Sequence, residues 1–162
     1  PQRLRDLLTP EELHQAQRYL FSPGISVVRD AETAIAAGRV SAMHDPTEGG
    51  LSAALWELAE ASGCSLRIDP AHVRISPLSA RICRHFGIDP LATIASGALL
   101  LTAPPGDARR IAAALGMAGI PCAEIGEVGP GPAAVYRHTA NGEQPLTWPQ
   151  RDGLARVFEA QP

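Results

Sequence analysis

The segment "LSAALWELAEASG", residues 51–63, constrains the fold more than any other part of the sequence. Its apolar residues recur at the spacing of one helical face, which predicts a buried amphipathic helix, and they are Leu51, Ala54, Leu55, Leu58 and Ala59. Gly63 closes the segment and predicts the end of the helix. Short strand patterns flank it, "VSAM" before and "CSLRI" after, so the helix belongs to a domain that mixes helices and strands.

Further helices are predicted along the whole chain. In "LTPEELHQAQRYL", Thr9 can cap the helix, Pro10 suits its first position and Glu12 completes a capping box. The other helical patterns are "ISVVRDAETAIAAG", "LSARICRHF" after Ser76-Pro77, "GDARRIAAALGMAG" and "RDGLARVFEA". Gly38 ends the first of these patterns and Gly87 follows the second, as expected at helix ends.

The strand patterns do not alternate regularly with the helices. "GALLLT" and "IPCAEIGEV" predict strands, and "AAVYRH" and "QPLTW" flank Asn141-Gly142, a strong hairpin signal. A doubly wound parallel sheet requires regular alternation, which is missing here. The sequence therefore predicts an α+β fold: a layered domain with a mixed sheet packed by helices.

Length and composition limit the functional classes. The chain has 162 residues, enough for one domain with a sizeable core, and its formal net charge is -3. It has no basic run, which argues against nucleic acid as a partner, and no long apolar run, which argues against a membrane span. It has no signal-peptide pattern, and its cysteines, Cys64, Cys83 and Cys122, are widely spaced. These features predict reduced thiols and a cytoplasmic location.

The turn "MHDPTEGG", residues 43–50, concentrates side chains that could bind a ligand, and we refer to it as the motif turn. Asp45 and Glu48 are hard oxygen ligands of the kind that Mg²⁺ accepts, and Thr47 offers a hydroxyl to a phosphate oxygen. Gly49 and Gly50 precede the predicted helix, so their backbone amides are expected to be free for an anion such as phosphate.

A purely structural reading of the motif turn is also open. An Asp or Thr can cap a helix, a Pro can fix a turn, and a Gly can relieve backbone strain. His44 has no second histidine at metal-binding spacing, which favours a packing or surface role. Trp56 lies away from most of the apolar stripe and is expected at the edge of the core or at an interface.

Taken together, three segments carry a family resemblance. "MHDPTEGGLSAALWELAEASG", "FGIDPL" at 86–91 and "SGALLLT" at 96–102 resemble the C-terminal domain of the AIR synthase superfamily, and within it the hydrogenase maturation proteins of the HypE type. The resemblance runs from about residue 23 to 128, and "PQRDGLARVF" is similar to a family tail. It implies a helical lead-in at 1–22 and an AIR synthase-related C-terminal domain at 23–162.

The resemblance also implies a shared site. In the family, ATP and magnesium lie mainly on an N-terminal ATP-binding domain, which this chain lacks and which would be its partner. Carried over by position, Asp45 would hold Mg²⁺ or order the triphosphate, and Thr47 would contact phosphate. Glu48 stands where a kinase relative has an acidic metal ligand and where HypE proteins usually have Arg. Gly49 and Gly50 would supply the turn and its amides.

The implied activity is that of the longer protein. The resemblance predicts an ATP-dependent parent protein and an inactive isolated fragment, with the substrate left open. HypE proteins end in a cysteine that carries their cyanide-forming chemistry; this sequence ends "EAQP", so that chemistry is not carried over. Two alternatives stay open: a non-catalytic interaction module that kept the fold, and a small-molecule kinase of the thiamine-monophosphate kinase type. A homodimer is a further candidate assembly.

Overall fold

A computed structural model describes residues 2–159 of the chain. The helices are α1 (Gln2–Leu7), α2 (Pro10–Arg18), α3 (Val28–Ala37), α4 (Gly50–Ser62), α5 (Pro77–Phe86), α6 (Pro105–Met117) and α7 (Gly153–Glu159). The strands are β1 (Ala42–His44), β2 (Ser65–Ile68), β3 (Leu100–Thr102), β4 (Gly126–Gly129), β5 (Ala134–Thr139) and β6 (Gly142–Pro145). The predicted α+β class, with a mixed sheet packed by helices, is confirmed.

The strands form two separate sheets. β1 pairs with β3 in an antiparallel ribbon, and the larger sheet has the order β4-β2-β5-β6. β2 and β5 run parallel, whereas β2–β4 and β5–β6 are antiparallel, which makes the larger sheet mixed. The parallel pair needs a long crossover between its strands, and the residues from α5 to β4 supply it.

The main core lies between α4 and one face of the larger sheet. Leu55, 1% exposed, packs there with Leu66 of β2 and Val135 of β5, and Leu146 closes the same cluster. Because side chains alternate along a strand, the neighbouring residues of β2 and β5 face the opposite side of the sheet. The helical stripe predicted from the sequence is thus the surface that holds the domain together.

A second core lies on the other side of the ribbon. Ala34 of α3 packs against Ile111 and Leu115 of α6, and Met43 and Leu101 of the ribbon join them. Leu100, the neighbour of Leu101 on β3, points instead into the main core. The ribbon therefore forms a layer between two cores, and the motif turn leaves from its β1 end.

The lead-in packs against the rest of the chain. The predicted capping box at the start of α2 is confirmed, because Thr9 and Glu12 exchange backbone and side-chain hydrogen bonds. The carboxylate of Glu12 also accepts a hydrogen bond from Arg81 of α5. The Arg81 hydrogen bond, followed by the one from the Thr9 backbone, lowers the pKa of Glu12 below its ordinary value. An irregular helical turn, Leu20–Gly24, then leads into α3 across the proposed domain boundary.

Three strand predictions needed correction. "IPCAEIGEV" becomes a strand only from Gly126, because Pro121 has no amide to donate and the residues after it run irregularly. "GALLLT" pairs only from Leu100. The predicted hairpin is confirmed, but its second strand is β6 at Gly142–Pro145 and not the predicted "QPLTW", and its turn is Ala140-Asn141 because Thr139 pairs with Gly142.

Among residues 2–159, none of the helices combines the length and the apolar character that a bilayer crossing requires.

Candidate functional site

The motif turn connects the buried ribbon to the buried helix. α4 begins at Gly50, as the sequence predicted, and β1 ends at His44, one residue beyond the predicted Met43. Pro46 is fully buried and anchors the turn, whereas Asp45, Thr47 and Glu48 on either side of it are exposed. The turn is therefore held by its proline while its polar side chains face outward.

The polar side chains of the motif turn are accessible to solvent. The side chain of Asp45 is 71% exposed, and its Oδ1 lies 3.9 Å from Nδ1 of the His44 imidazole. Residues 2–159 hold no group of three or more His, Cys, Asp or Glu side chains placed to bind a metal ion. Two carboxylates, those of Asp45 and Glu48, would leave a bound Mg²⁺ ion most of its sites for water and phosphate oxygens. Their metal-binding role stays a prediction.

The backbone amides of the two glycines are already used within the chain. The amide of Gly49 donates to Oδ2 of Asp152 at 2.8 Å, and the amide of Gly50 donates to the carbonyl of Thr47 at 3.0 Å. The expectation that both amides are free is therefore wrong. A direct phosphate contact of Gly49 would require Asp152 to move; such contacts of Gly49 and Gly50 stay predictions.

Gly50 is required by packing. Its φ is +60°, and a Cβ built on it would lie 2.3 Å from the carbonyl oxygen of Thr93 and 2.8 Å from that of Leu91. In the same loop, the amide of Ala95 donates a hydrogen bond to the carbonyl of Thr47 at 3.3 Å. The residues after α5 thus brace the motif turn from one side.

The C-terminal segment braces the motif turn from another side. Asp152 caps α7 by accepting the amide of Leu154 at 2.7 Å, and its other oxygen holds Gly49. Gly153 is buried against Thr93, and Pro149 lies beside Gly49. This contribution of Asp152 was not predicted from the sequence, where its local signal is the Asp-Gly pair before "LARVF", which has the form of a helix cap.

His44 and Trp56 have structural partners on and around α4. Nε2 of His44 lies 2.5 Å from Oε2 of Glu57, so the imidazole links the end of β1 to the helix. Nε1 of Trp56 donates to the carbonyl of Leu146 at 2.8 Å, and its ring lies 5.9 Å from that of Trp148. Trp56 is partly buried against the main core, which confirms the predicted edge position.

The three cysteines are free. Burial, followed by the charge of Asp89, raises the pKa of the Cys83 thiol. Burial also raises the pKa of Cys122. A raised thiol pKa leaves little thiolate near neutral pH, so Cys83 and Cys122 lack the activation of a catalytic nucleophile.

A shallow depression of roughly 590 Å³ lies elsewhere on the sheet, and none of the residues of the motif turn lines it. Arg67, one of its lining residues, pairs with Glu143 at 3.0 Å and lies over the ring of Tyr136. Because the guanidinium is engaged on both sides, it is not a free anion-binding group.

The sequence matches one protein family over most of its length. Residues 13–138 match the family described as AIR synthase related protein, C-terminal domain. The chain belongs to this family. Among curated relatives, the carbamoyl dehydratase HypE of Rhodobacter capsulatus is 34% identical over 85 residues, covering 52% of this chain and 25% of that protein.

Solved structures of family members agree with this assignment. The crystal structure of E. coli HypE, a hydrogenase maturation protein, matches with a TM-score of 0.72 and 28% identity, over 81% of this chain and 42% of that chain. A HypE structure in complex with ATP matches with a TM-score of 0.68 and 27% identity, over 74% of this chain and 39% of that chain. The chain thus spans about two fifths of the HypE chains that it matches.

Proposed function

We propose that this domain supplies one wall of a Mg-ATP site that it shares with an N-terminal ATP-binding domain. Asp45, with Glu48, would hold Mg²⁺, and Thr47 would donate its hydroxyl to a phosphate oxygen. The glycines would contribute the shape of the turn. The observation that carries the proposal is the outward exposure of Asp45, Thr47 and Glu48 on a turn anchored by buried Pro46.

The chemistry of such a site is mainly positioning and charge neutralisation. A magnesium ion bridging carboxylates and phosphate oxygens lowers the repulsion around a reacting phosphoryl group. The side chains that this chain contributes to the site, Asp45, Thr47 and Glu48, can bind and orient the polyphosphate. The isolated domain is therefore expected to show no ATP hydrolysis above blank, and catalysis is assigned to the two-domain protein.

The test uses the full-length two-domain protein and Mg-ATP. The wild type is expected to gain thermal stability with Mg-ATP, because a ligand that binds only the folded state stabilises it. Asp45→Ala is expected to abolish most of that gain. Asp30→Ala, which removes an acid from the first turn of α3, should leave it unchanged. An unchanged shift in Asp45→Ala would refute the role assigned to Asp45, and strong turnover by the isolated domain would refute the shared site.

A non-catalytic interaction module is the second candidate. The engagement of the Gly49 and Gly50 amides within the chain favours it, because an anion-binding helix terminus normally leaves such amides available. The absence of any Mg-ATP shift in the wild-type two-domain protein would select this reading. Hydrogenase maturation, a homodimer and a cytoplasmic location stay predictions drawn from the family resemblance and the composition.

A further inference from the structure

The carboxylate of Asp152 joins two distant parts of the chain. Oδ2 accepts the amide of Gly49 at 2.8 Å in a half-buried contact, and Oδ1 accepts the amide of Leu154 at 2.7 Å. One side chain therefore caps α7 and holds the motif turn at the start of α4. The first bond spans 103 positions of sequence, so it is a tertiary contact.

Another capping aspartate shows that the second bond is not needed for capping. Asp69 caps the short helical turn Pro70–His72 by accepting the amide of Ala71 at 2.9 Å. Its other oxygen lies 4.0 Å from Nε2 of His72, within the same turn. Asp152 has the same local role but directs its second oxygen to a different element.

The surroundings of Gly49 leave little freedom once this bond is made. Gly49 has a φ of +73°, and a Cβ built on it would lie 2.8 Å from the Cβ of Ala53 and 3.3 Å from Pro149. The residue is buried between α4 and the segment that carries Asp152. A bound phosphate at this amide would have to displace a carboxylate that already carries the complementary negative charge.

We propose that Asp152 is a positioning residue of the motif turn, whose carboxylate occupies the Gly49 amide and holds Asp45 and Thr47 in their outward orientation. This inference rests on the proposed function. The inference also narrows the proposed function, because Mg-ATP is then recognised through the side chains of the motif turn and not through the Gly49 amide. The partial positive charge at the start of α4 is neutralised from within the chain.

A serine at position 152 separates the two roles of the residue. Serine is a good helix cap, so Asp152→Ser keeps an acceptor for the amide of Leu154, but its shorter side chain cannot also hold Gly49. Asp69→Ser is the matched control, because it removes the same charge from another capping position that does not contact the motif turn. Both variants are expected to fold.

The first measurement is amide hydrogen exchange of the 162-residue chain by NMR. In Asp152→Ser, exchange at Gly49 is expected to accelerate about tenfold or more, the factor that corresponds to losing a hydrogen bond to a charged group. The amide resonances of Asp45 and Thr47 should shift as well. Asp69→Ser should change none of these signals. Unchanged exchange at Gly49 in Asp152→Ser would overturn the inference.

The second measurement is Mg-ATP affinity of the full-length two-domain protein. Asp152→Ser is expected to weaken binding about tenfold, whereas Asp69→Ser should change it less than about twofold. Tighter binding in Asp152→Ser would overturn the inference, because it would make the carboxylate a competitor of phosphate. If the wild type does not bind Mg-ATP, the proposed function fails, and the exchange measurement still decides whether Asp152 positions the turn.

Discussion

Replacing Gly50 by alanine tests whether the motif turn is shaped by packing. A Cβ at position 50 would lie 2.3 Å from the Thr93 carbonyl oxygen and 2.9 Å from its amide nitrogen, so backbone would have to move. A residue with a side chain at a φ of +60° is also strained by about 1–2 kcal/mol. Overpacking adds about 1–3 kcal/mol, which gives a total loss of about 2–5 kcal/mol in the free energy of unfolding.

Gly63→Ala is the control for this experiment. Gly63 ends α4 with a φ of +64°, and a Cβ there would meet no atom within 4 Å. The control therefore carries the backbone strain without the collision and should cost about 1–2 kcal/mol. The difference between the two variants isolates the collision with the backbone of Leu91 and Thr93.

The assay is urea unfolding followed by circular dichroism, with the slope compared between variants to confirm that the same surface is exposed on unfolding. Gly50→Ala is expected to lose clearly more stability than Gly63→Ala. Equal losses would show that the loop carrying Thr93 does not restrict the motif turn. The packing explanation for Gly50 would then be wrong.

Two further predictions concern the core and the thiols. Leu55→Ala should lower the free energy of unfolding by about 2–5 kcal/mol, because it leaves a cavity in the main core. The control Ile35→Ala, at a position 63% exposed, should change the free energy of unfolding by less than about 0.5 kcal/mol. Chemical denaturation measures both changes. Cys83, 7% exposed and with a raised pKa, should react with a chromogenic thiol reagent far more slowly than Cys64 until the chain unfolds. Rapid reaction of Cys83 in the folded chain would contradict this expectation. Because the folded state raises the pKa of the Cys83 thiol, the stability that this thiol contributes is present below the ordinary thiol pKa and is lost as the pH rises above that value.

The elements with strong local signals were predictable from the sequence. The capping box at Thr9, the periodic stripe of α4 and the end of that helix at Gly63 each depend on residues close in sequence. The strand before α4 was also predicted, although β1 covers Ala42–His44 and not the whole of "VSAM". Local propensity and the global fold agree at these points, as a foldable sequence requires.

The organisation of the site was only half predictable. The exposure of Asp45 and Thr47 agrees with the sequence-based proposal, but the environment of the glycines does not. The local sequence around a glycine that precedes a helix is the same whether the glycine contacts a ligand or a neighbouring segment of backbone. Thr93 and Asp152 decide that question here, and neither lies near the motif turn in sequence. Contacts of this kind arise from tertiary packing, which local patterns do not encode.

The segment after the hairpin has a practical consequence for where the domain can be cut. The family match stops at residue 138, inside β5. A fragment that ended there would keep every residue of the motif turn but would lose β6, the buried Leu146 and Asp152, which accepts the amide of Gly49. The stretch delimited by sequence similarity is thus shorter than the stretch that packs together in the structure. Crystallisation or screening should use boundaries that run through α7.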